Sequence, residues 1–168
     1  MTTQHKIVDD ALPKEYFDKL VEAIVWNEKF KWNMNANVAG PEGNPDLRNW
    51  HFCSLGYWEN IPIEQELFAM VHPLLYKLPE FNSLVRIKAN FFPNTSELFV
   101  HNMHKDYPYR HKGALLSLNT CDGYTLLDDG TKVDSIANRI LYFDPSIPHA
   151  STTTTNAKGR FNININYL

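Results

Sequence analysis

From residue 84 to the C-terminus, the sequence consists of short runs rich in β-branched and aromatic residues, separated by turn signals. The runs are LVRIKANFF, LFVHNMH, GALLSLNT, YTLLDDGTKV, ANRILYFD and GRFNININYL. Breaks such as Pro93-Asn94-Thr95 and Asp129-Gly130 have the chemistry of turns. Many short strands joined by turns predict an antiparallel sandwich or barrel.

Two segments before residue 84 show helical periodicity instead. Apolar residues recur at three- and four-residue steps across 12–26 and again across 63–78, where Pro73 is expected to kink the helix. We therefore predict a mainly β fold with flanking helices, of the α+β class. The length of 168 residues fits one domain, 1–168, in which helices within about 10–80 brace a β core of about 84–168.

The segment NMNANVAGPEGNPDLRNW, residues 33–50, has no sustained period and is rich in Asn, Gly and Pro. It predicts a long loop. Long loops in compact domains often act as lids over a site, and a plain mobile connection is the equal alternative.

Composition excludes several classes of protein. Two cysteines without a Cys-x-x-Cys pair indicate neither a disulfide framework nor a thiolate zinc site. A net charge of −3 argues against a nucleic-acid partner. No apolar run is long enough to span a membrane, and the N-terminus lacks the pattern of a secretory signal, so we expect a cytoplasmic protein.

The last run separates its two faces clearly. Period two places Phe161, Ile163, Ile165 and Tyr167 on one face of a strand, and Arg160, Asn162, Asn164 and Asn166 on the other. The apolar face predicts a core contact. The polar face is expected to be solvated, as is usual in antiparallel sheets, or to form the wall of a polar pocket.

His104 and Asp106 form a His-x-Asp pair, which in an extended segment can turn an imidazole and a carboxylate toward one cation. Alone the pair is a weak signal, because chance produces it readily. His149 follows a strand and a Pro-containing turn and supplies a third ligand. Two histidines and one carboxylate leave three positions open on Fe(II) for substrate and oxygen.

Arg160 lies eleven residues beyond His149, on the polar face of the last strand. A guanidinium that points into a pocket needs an anionic partner, and its fork matches a carboxylate. A dicarboxylate ligand would satisfy both the iron and Arg160.

These residues carry a resemblance to a known family. The motifs HKD, PHAS and GRFNININ, together with the tract DGYTLLDDGTKVDSIANRILYFDPSIPHAS, resemble the 2-oxoglutarate and Fe(II)-dependent oxygenases, specifically the short prolyl-hydroxylase-like members, some of them encoded by bacteriophages. The resemblance extends from about residue 86 to the C-terminus. It implies a double-stranded β-helix, also called a jelly roll and cupin-like, with flanking helices.

The resemblance also implies roles. His104, Asp106 and His149 would bind Fe(II), and Arg160 would bind the distal carboxylate of the cosubstrate 2-oxoglutarate. The implied reaction uses O2 and hydroxylates a C–H bond, releasing succinate and CO2, with ascorbate as a candidate reductant. The expected substrate is prolyl, peptidyl or a free amino acid. If the protein is phage-encoded, its expected location is the host cytoplasm.

The sequence departs from that family at two positions. Phe92 precedes Pro93 where relatives often have Tyr, and Ser117 stands where they often have another Tyr. Strand parity nominates Asn164, Ser117 and Asn90 as replacement hydrogen-bonding residues for the cosubstrate, and a purely structural role is the equal alternative for each.

Other readings of the same residues remain open. A zinc site on His101 and His104 lacks the sulfur ligands that zinc sites favour, and His51 and His72 are expected to be packing or surface residues. A non-catalytic jelly-roll binding protein with a vestigial metal site is the main alternative. A nucleic-acid demethylase is disfavoured, because no second Arg follows Arg160. Candidates for substrate contact are Tyr107, Tyr109, Arg110 and Lys112, whereas Trp50 and Trp58 are expected to pack.

Overall fold

The computed structural model describes residues 5–38 and 46–168. Its elements, in chain order, are β1 (Lys6–Val8), α1 (Lys14–Val21), a π-helical turn (Glu22–Trp26), β2 (Asn33–Asn35), β3 (His51–Trp58), β4 (Ile61–Pro62), α2 (Gln65–Leu75), β5 (Leu84–Pro93), β6 (Lys112–Ser117), β7 (Tyr124–Leu127), β8 (Lys132–Asp134), β9 (Ile140–Phe143), β10 (His149–Ser151) and β11 (Gly159–Tyr167).

The strands form two antiparallel sheets. The larger has eight strands in the order β1-β9-β6-β11-β5-β3-β2, with β4 added beside β3, and the smaller has the order β10-β7-β8. The predicted class, mainly β with flanking helices, is confirmed.

The hydrophobic core lies between the larger sheet and the helices. Leu20 of α1, Ile24 of the π-helical turn and Leu67 of α2 are buried in the same cluster as Ile87 of β5 and Ile163 of β11. Each helix contributes the apolar stripe that its period predicted. The opposite face of the sheet is therefore free to form something other than core.

β11 is the central strand and separates these two environments. It pairs with β5 on one side and β6 on the other, and all nine of its residues are buried. Its polar face is thus not solvated, contrary to the first expectation. The second expectation, the wall of a polar pocket, is what the fold supplies.

The run LFVHNMH does not form a continuous strand, contrary to prediction. It makes single bridges at Val100↔Thr152 and His104↔His149. The bridges are four residues apart on one side and three on the other, so the register cannot run through, and the extra residue bulges. This irregularity positions His104 beside His149.

β3 was not predicted, although it is a full partner of β5 in the larger sheet. A Cβ at Gly56 would lie 3.0 Å from Cγ of Leu67 in α2, so the helix packs closely over a strand position that has no side chain. The small residues required there interrupt the apolar alternation by which a strand is recognised. Within the described residues, no helix combines the length and the apolar character needed to cross a membrane.

Candidate active site

A cavity of about 550 Å³ lies between the two sheets. The larger sheet contributes Arg86, Lys88, Asn90 and Phe92 from β5, Arg160, Asn162 and Asn164 from β11, and single residues from its other strands; the smaller sheet contributes Thr125 and 149–151. Its volume is typical of a small-molecule site.

His104, Asp106 and His149 meet at this cavity. One ligand atom from each lies within 4.8 Å of the others, and among the described residues this is the group of metal-ligating side chains so gathered. The backbone N–H of His104 donates to the carbonyl of His149 and the reverse bond is also made, both at 2.9 Å. His104, which lies outside the named strands, and His149, the first residue of β10, are therefore fixed to each other by the main chain.

Both histidines turn the same ring nitrogen toward the group. Nδ1 of His104 donates to the carbonyl of Asn102 at 3.3 Å, and Nδ1 of His149 donates to that of Ile147 at 3.1 Å. A carbonyl can only accept, so each Nδ1 carries the proton and each Nε2 keeps its lone pair. That tautomer is the one a metal requires.

Asp106 is held by three donors. Nη2 of Arg86 lies 3.0 Å from Oδ1, while the side-chain amides of Asn164 and Asn166 donate to Oδ2 at 3.1 and 2.9 Å. Oδ1 also lies 3.9 Å from Nε2 of His104. The carboxylate is thus oriented, with one oxygen turned toward the histidines.

The protonation states suit cation binding. Burial opposes ionisation of Asp106, but Arg86 and the hydrogen bond from Asn166 outweigh it and hold the pKa of the carboxyl well below its usual range. Burial, assisted by His149, lowers the pKa of His104 to about 4, and burial lowers the pKa of His149 as well. At neutral pH the group is two neutral imidazoles and one carboxylate.

Arg160 is 1% exposed and lines the same cavity. Its Nη2 donates to Oγ1 of Thr125 at 2.8 Å and its Nη1 to the carbonyl of Thr152 at 3.4 Å, while Nε has no hydrogen-bond partner within 5–38 and 46–168. Burial lowers the pKa of Arg160 to about 10, so the guanidinium is charged at neutral pH. A buried, charged donor without a protein partner, beside a cavity, marks a position that an anion can fill.

Of the three residues nominated for hydrogen bonds to the cosubstrate, two line the cavity and one does not. Asn90 and Asn164 line the cavity; Asn90 donates to Oδ1 of Asn162 at 2.9 Å, whereas Asn164 donates to Asp106. Ser117 pairs with Asn162 in the sheet and is buried, but it is not among the lining residues.

The remaining histidines lie as neighbours of the group, or far from it. Nδ1 of His101 donates to the carbonyl of Ser151 at 3.0 Å, and His101 is not part of the metal-ligating group. His51 lines the cavity, stacked on Phe92 at a centroid distance of 5.2 Å. His72 packs on α2 between Phe68 and Tyr76.

The residues nominated for substrate contact do not line the cavity. Tyr107 and Tyr109 stack on each other, Arg110 faces Asp144, and Lys112 pairs with Glu80. Instead, Asn35, Asn37 and Val38 from the predicted loop line the cavity. The lid expectation also falls on residues 39–45, which lie outside the described residues, and it stays a prediction.

Arg86, Lys88 and Thr125 are polar residues of the site that were not predicted from sequence, and Asn166 was placed on the polar face of the last strand without a role at Asp106. Asn166 shares strand parity with Arg160, and Arg86 and Lys88 share parity with Asn90, so the alternation in β11 and β5 contained the signal. What parity does not give is which polar residue reaches Asp106.

No protein-family model matches the chain, and no curated protein sequence matches it. Solved structures do. A prolyl hydroxylase from Trichoplax adhaerens, in complex with a hypoxia-inducible factor peptide fragment, aligns over 99% of this chain and 84% of its own with a TM-score of 0.68 and 17% identity. A Pseudomonas putida prolyl-4-hydroxylase aligns over 99% and 93% with a TM-score of 0.62 and 16% identity.

A non-heme alpha-ketoglutarate-dependent epimerase from nogalamycin biosynthesis aligns over 99% of this chain and 78% of its own, with a TM-score of 0.70 and 12% identity. This chain has the fold of these enzymes. The predicted jelly roll is therefore confirmed, and so is the structural side of the resemblance to prolyl-hydroxylase-like oxygenases. At these identities the likeness concerns the fold.

Proposed function

We propose that the protein is an Fe(II)- and 2-oxoglutarate-dependent oxygenase. The observation that carries the proposal is the convergence of His104, Asp106 and His149 on one cavity, which is also lined by Arg160, whose Nε has no partner among the described residues. Two imidazoles and one carboxylate are the facial ligand set of non-heme Fe(II) oxygenases. The alternative of a vestigial site predicts either that these residues do not converge or that the site binds no metal; the convergence argues against the first, and metal titration tests the second.

The residues present fit the metal. Both Nε2 atoms have free lone pairs, and Asp106 is ionised and held by Arg86, Asn164 and Asn166. His104, Asp106 and His149 would hold the Fe(II), while the amides and Arg86 keep the carboxylate in its orientation.

The residues also fit the cosubstrate. Arg160 would bind the distal carboxylate of 2-oxoglutarate through its unpaired Nε and its fork, while Thr125 fixes the guanidinium from the other side. Phe92 offers no hydroxyl here, and its ring lies 5.7 Å from Cζ of Arg160. Asn90 and Asn164 remain nominated for further contact with the cosubstrate, and Ser117 is the weakest of the three because it does not line the cavity.

Bound iron and 2-oxoglutarate would supply the oxidising chemistry, consuming O2 and yielding succinate and CO2. The chain's part is to bind, orient and keep water out. The side chains of Phe143 and Leu115 line the cavity beside the metal-ligating group, and the Phe143 ring lies 5.0 Å from that of His149. These apolar walls limit access of water to the metal position.

The reaction proposed is hydroxylation of a C–H bond in a prolyl, peptidyl or amino-acid substrate, in the cytoplasm. Support comes from the two prolyl hydroxylases that share the fold, one solved with a peptide. Because an epimerase has the same fold, the product must be identified as well as the release of succinate measured.

Anaerobic titration with Fe(II) and 2-oxoglutarate tests the proposal. We expect the weak visible charge-transfer band of the chelate, followed by succinate release in air, with and without ascorbate. His149→Ala should abolish iron binding, whereas Arg160→Ala should retain iron and weaken 2-oxoglutarate. Absence of both band and succinate from metal-replete protein would show that the proposal is wrong.

A further inference from the structure

Lys88 places a cation in the wall of the cavity. It lies in the middle of β5, between Asn164 of β11 and Leu55 of β3, and its side chain lines the cavity. Its ammonium makes no hydrogen bond or ion pair with any residue of 5–38 and 46–168. Burial and the nearby Arg86 lower the pKa of Lys88. An enclosed ammonium of this kind is costly unless an anion joins it.

The proposed iron and cosubstrate do not supply that anion. The described cavity residues include four cations, Arg86, Lys88, Lys105 and Arg160, but one carboxylate, Asp106. The two charges of Fe(II) are met by Asp106 and by one carboxylate of 2-oxoglutarate, and Arg160 meets the other carboxylate. Asp106 is near enough to favour the charged form of Lys88, but its carboxylate is already shared between Arg86 and the metal position. Lys88 is then left with no carboxylate of its own, and Arg86 adds to the positive potential beside it.

Lys88 and Arg160 occupy separate positions. Arg160 pairs with Phe92 in the sheet and Lys88 pairs with Asn164, so the two are four residues apart along adjacent strands. That is roughly 13 Å at the rise of a β-strand. In β3, Lys88 pairs with Leu55, whereas His51, which lines the cavity, lies four residues earlier, level with Phe92 and Arg160. The cavity thus offers a second anion position away from the one at Arg160.

We propose that Lys88 binds a carboxylate of the substrate, so that the enzyme acts on an acidic compound and not on a neutral prolyl residue. This rests on the proposed function. Asn90 lies two residues from Lys88 on the same face of β5, and its side-chain amide also lines the cavity, so it can hydrogen-bond polar groups of that compound. A carboxylate can come from a free amino acid or from an acidic side chain of a peptide, and both present the same chemistry to Lys88.

The test uses the full-length protein loaded with Mn(II) and 2-oxoglutarate, and it measures paramagnetic relaxation of probe protons by the metal. The acidic probes are L-aspartate, L-glutamate and short peptides that contain Asp or Glu. The neutral probes are asparagine, glutamine, the matching amide peptides and a prolyl peptide. We expect at least one acidic probe to bind roughly tenfold or more tightly than its amide. Free amino acids and peptides then separate the two sources.

Variants assign the preference to Lys88. Lys88→Met should remove the preference for acids, Lys88→Arg should retain it, and the exposed control Lys19→Met should leave it unchanged. The proposal is overturned if the prolyl peptide binds as tightly as every acidic probe and Lys88→Met leaves the affinity for the acidic probes unchanged. It is also overturned if Lys88→Met weakens 2-oxoglutarate as Arg160→Ala does and leaves probe binding unchanged.

Calorimetry of the same probes with metal-free protein keeps the two proposals separate. Failure to bind Mn(II) and 2-oxoglutarate would overturn the proposed function. A preference for acids that Lys88→Met abolishes would still support an anion position at Lys88 in that case. No preference in either experiment would overturn the anion position.

Discussion

The side-chain amide of Asn166 donates to Oδ2 of Asp106 at 2.9 Å, across sixty residues of sequence. The same nitrogen lies 3.1 Å from Nε2 of His111, whose Nδ1 donates to the carbonyl of Tyr109. His111 therefore accepts the second amide proton, and both protons of Asn166 are used. Asn166 is the most constrained support of the metal-ligating carboxylate.

Asn166→Ala is expected to weaken Fe(II) or Mn(II) binding by roughly tenfold to a hundredfold, because losing such a support leaves the carboxylate less well oriented. Anaerobic metal titration measures this. Asn94→Ala is the matched control, since Asn94 is a surface residue that donates to the carbonyl of Ala157. Equal metal affinities for the two variants would contradict the supporting role of Asn166.

Gly123→Ala is expected to weaken 2-oxoglutarate without weakening the metal. A Cβ at Gly123 would lie 2.6 Å from the carbonyl oxygen of Thr153 and 2.7 Å from Cδ of Arg160, so Arg160 must move. Affinities for Mn(II) and 2-oxoglutarate, measured separately, check this. Gly130→Ala is the control: its φ of +84° strains any replacement, but no atom lies within 4 Å. It should reduce stability only; a loss of cosubstrate affinity in the control alone would refute the argument.

The metal-free protein is expected to lose stability as the pH falls below about 6.5, in part because of His51. Burial, with Lys88, His101 and His104 nearby, lowers the pKa of His51 from 6.5 to about 2. Below pH 6.5 His51 is therefore protonated in the unfolded chain and neutral in the folded chain. For this residue the free energy of unfolding falls by about 1.4 kcal/mol for each unit by which the pH is lowered. The contribution is fully present above pH 6.5 and is lost progressively on acidification.

Denaturant unfolding between pH 7 and pH 5 measures this slope. His51→Phe preserves the ring stack on Phe92 and should flatten the slope, whereas His72→Phe, outside the cavity, should not. If His51→Phe and the native chain lose stability in parallel, His51 is not a source of the acid sensitivity.

Ile163→Val is expected to cost about 1 kcal/mol of stability and to leave cosubstrate affinity unchanged. Ile163 is fully buried on the helix-facing side of β11, and its neighbours Asn162 and Asn164 face the cavity. Thermal unfolding and 2-oxoglutarate titration of the same sample check both parts. A changed affinity would mean that the two faces of the strand are coupled.

The sequence predicted those parts of the fold that depend on local periodicity. The alternation in 160–167, the stripe in 63–78 and the hairpin in YTLLDDGTKV all appear as elements. The strand β3 was not predicted because Gly56, and not an apolar residue, packs against Leu67, which interrupts the apolar alternation. The break in LFVHNMH was not predicted because it depends on how this segment pairs with 149–152, which is distant in sequence.

The same division applies to the candidate site. Ligand type and spacing nominated His104, Asp106, His149 and Arg160, and these four line one cavity. Arg86 and Lys88 were not nominated, although they share strand parity with Asn90, because a lone cation in a strand is most often solvated and parity alone does not show that a second sheet covers that face. The sequence identifies the candidate metal-ligating and anion-binding side chains. Only the structure identifies the residues that orient them through hydrogen bonds and ion pairs.

β11 offers a practical opportunity for engineering. Its odd-numbered positions from 161 to 167 belong to the core, while its even-numbered positions from 160 to 166 face the cavity or Asp106. A saturation library at 162 would vary the floor of the cavity without touching the packing that folds the chain or the amides that hold Asp106. Selectivity in this scaffold can therefore be evolved along one strand, with little of the stability cost that usually accompanies changes at buried positions.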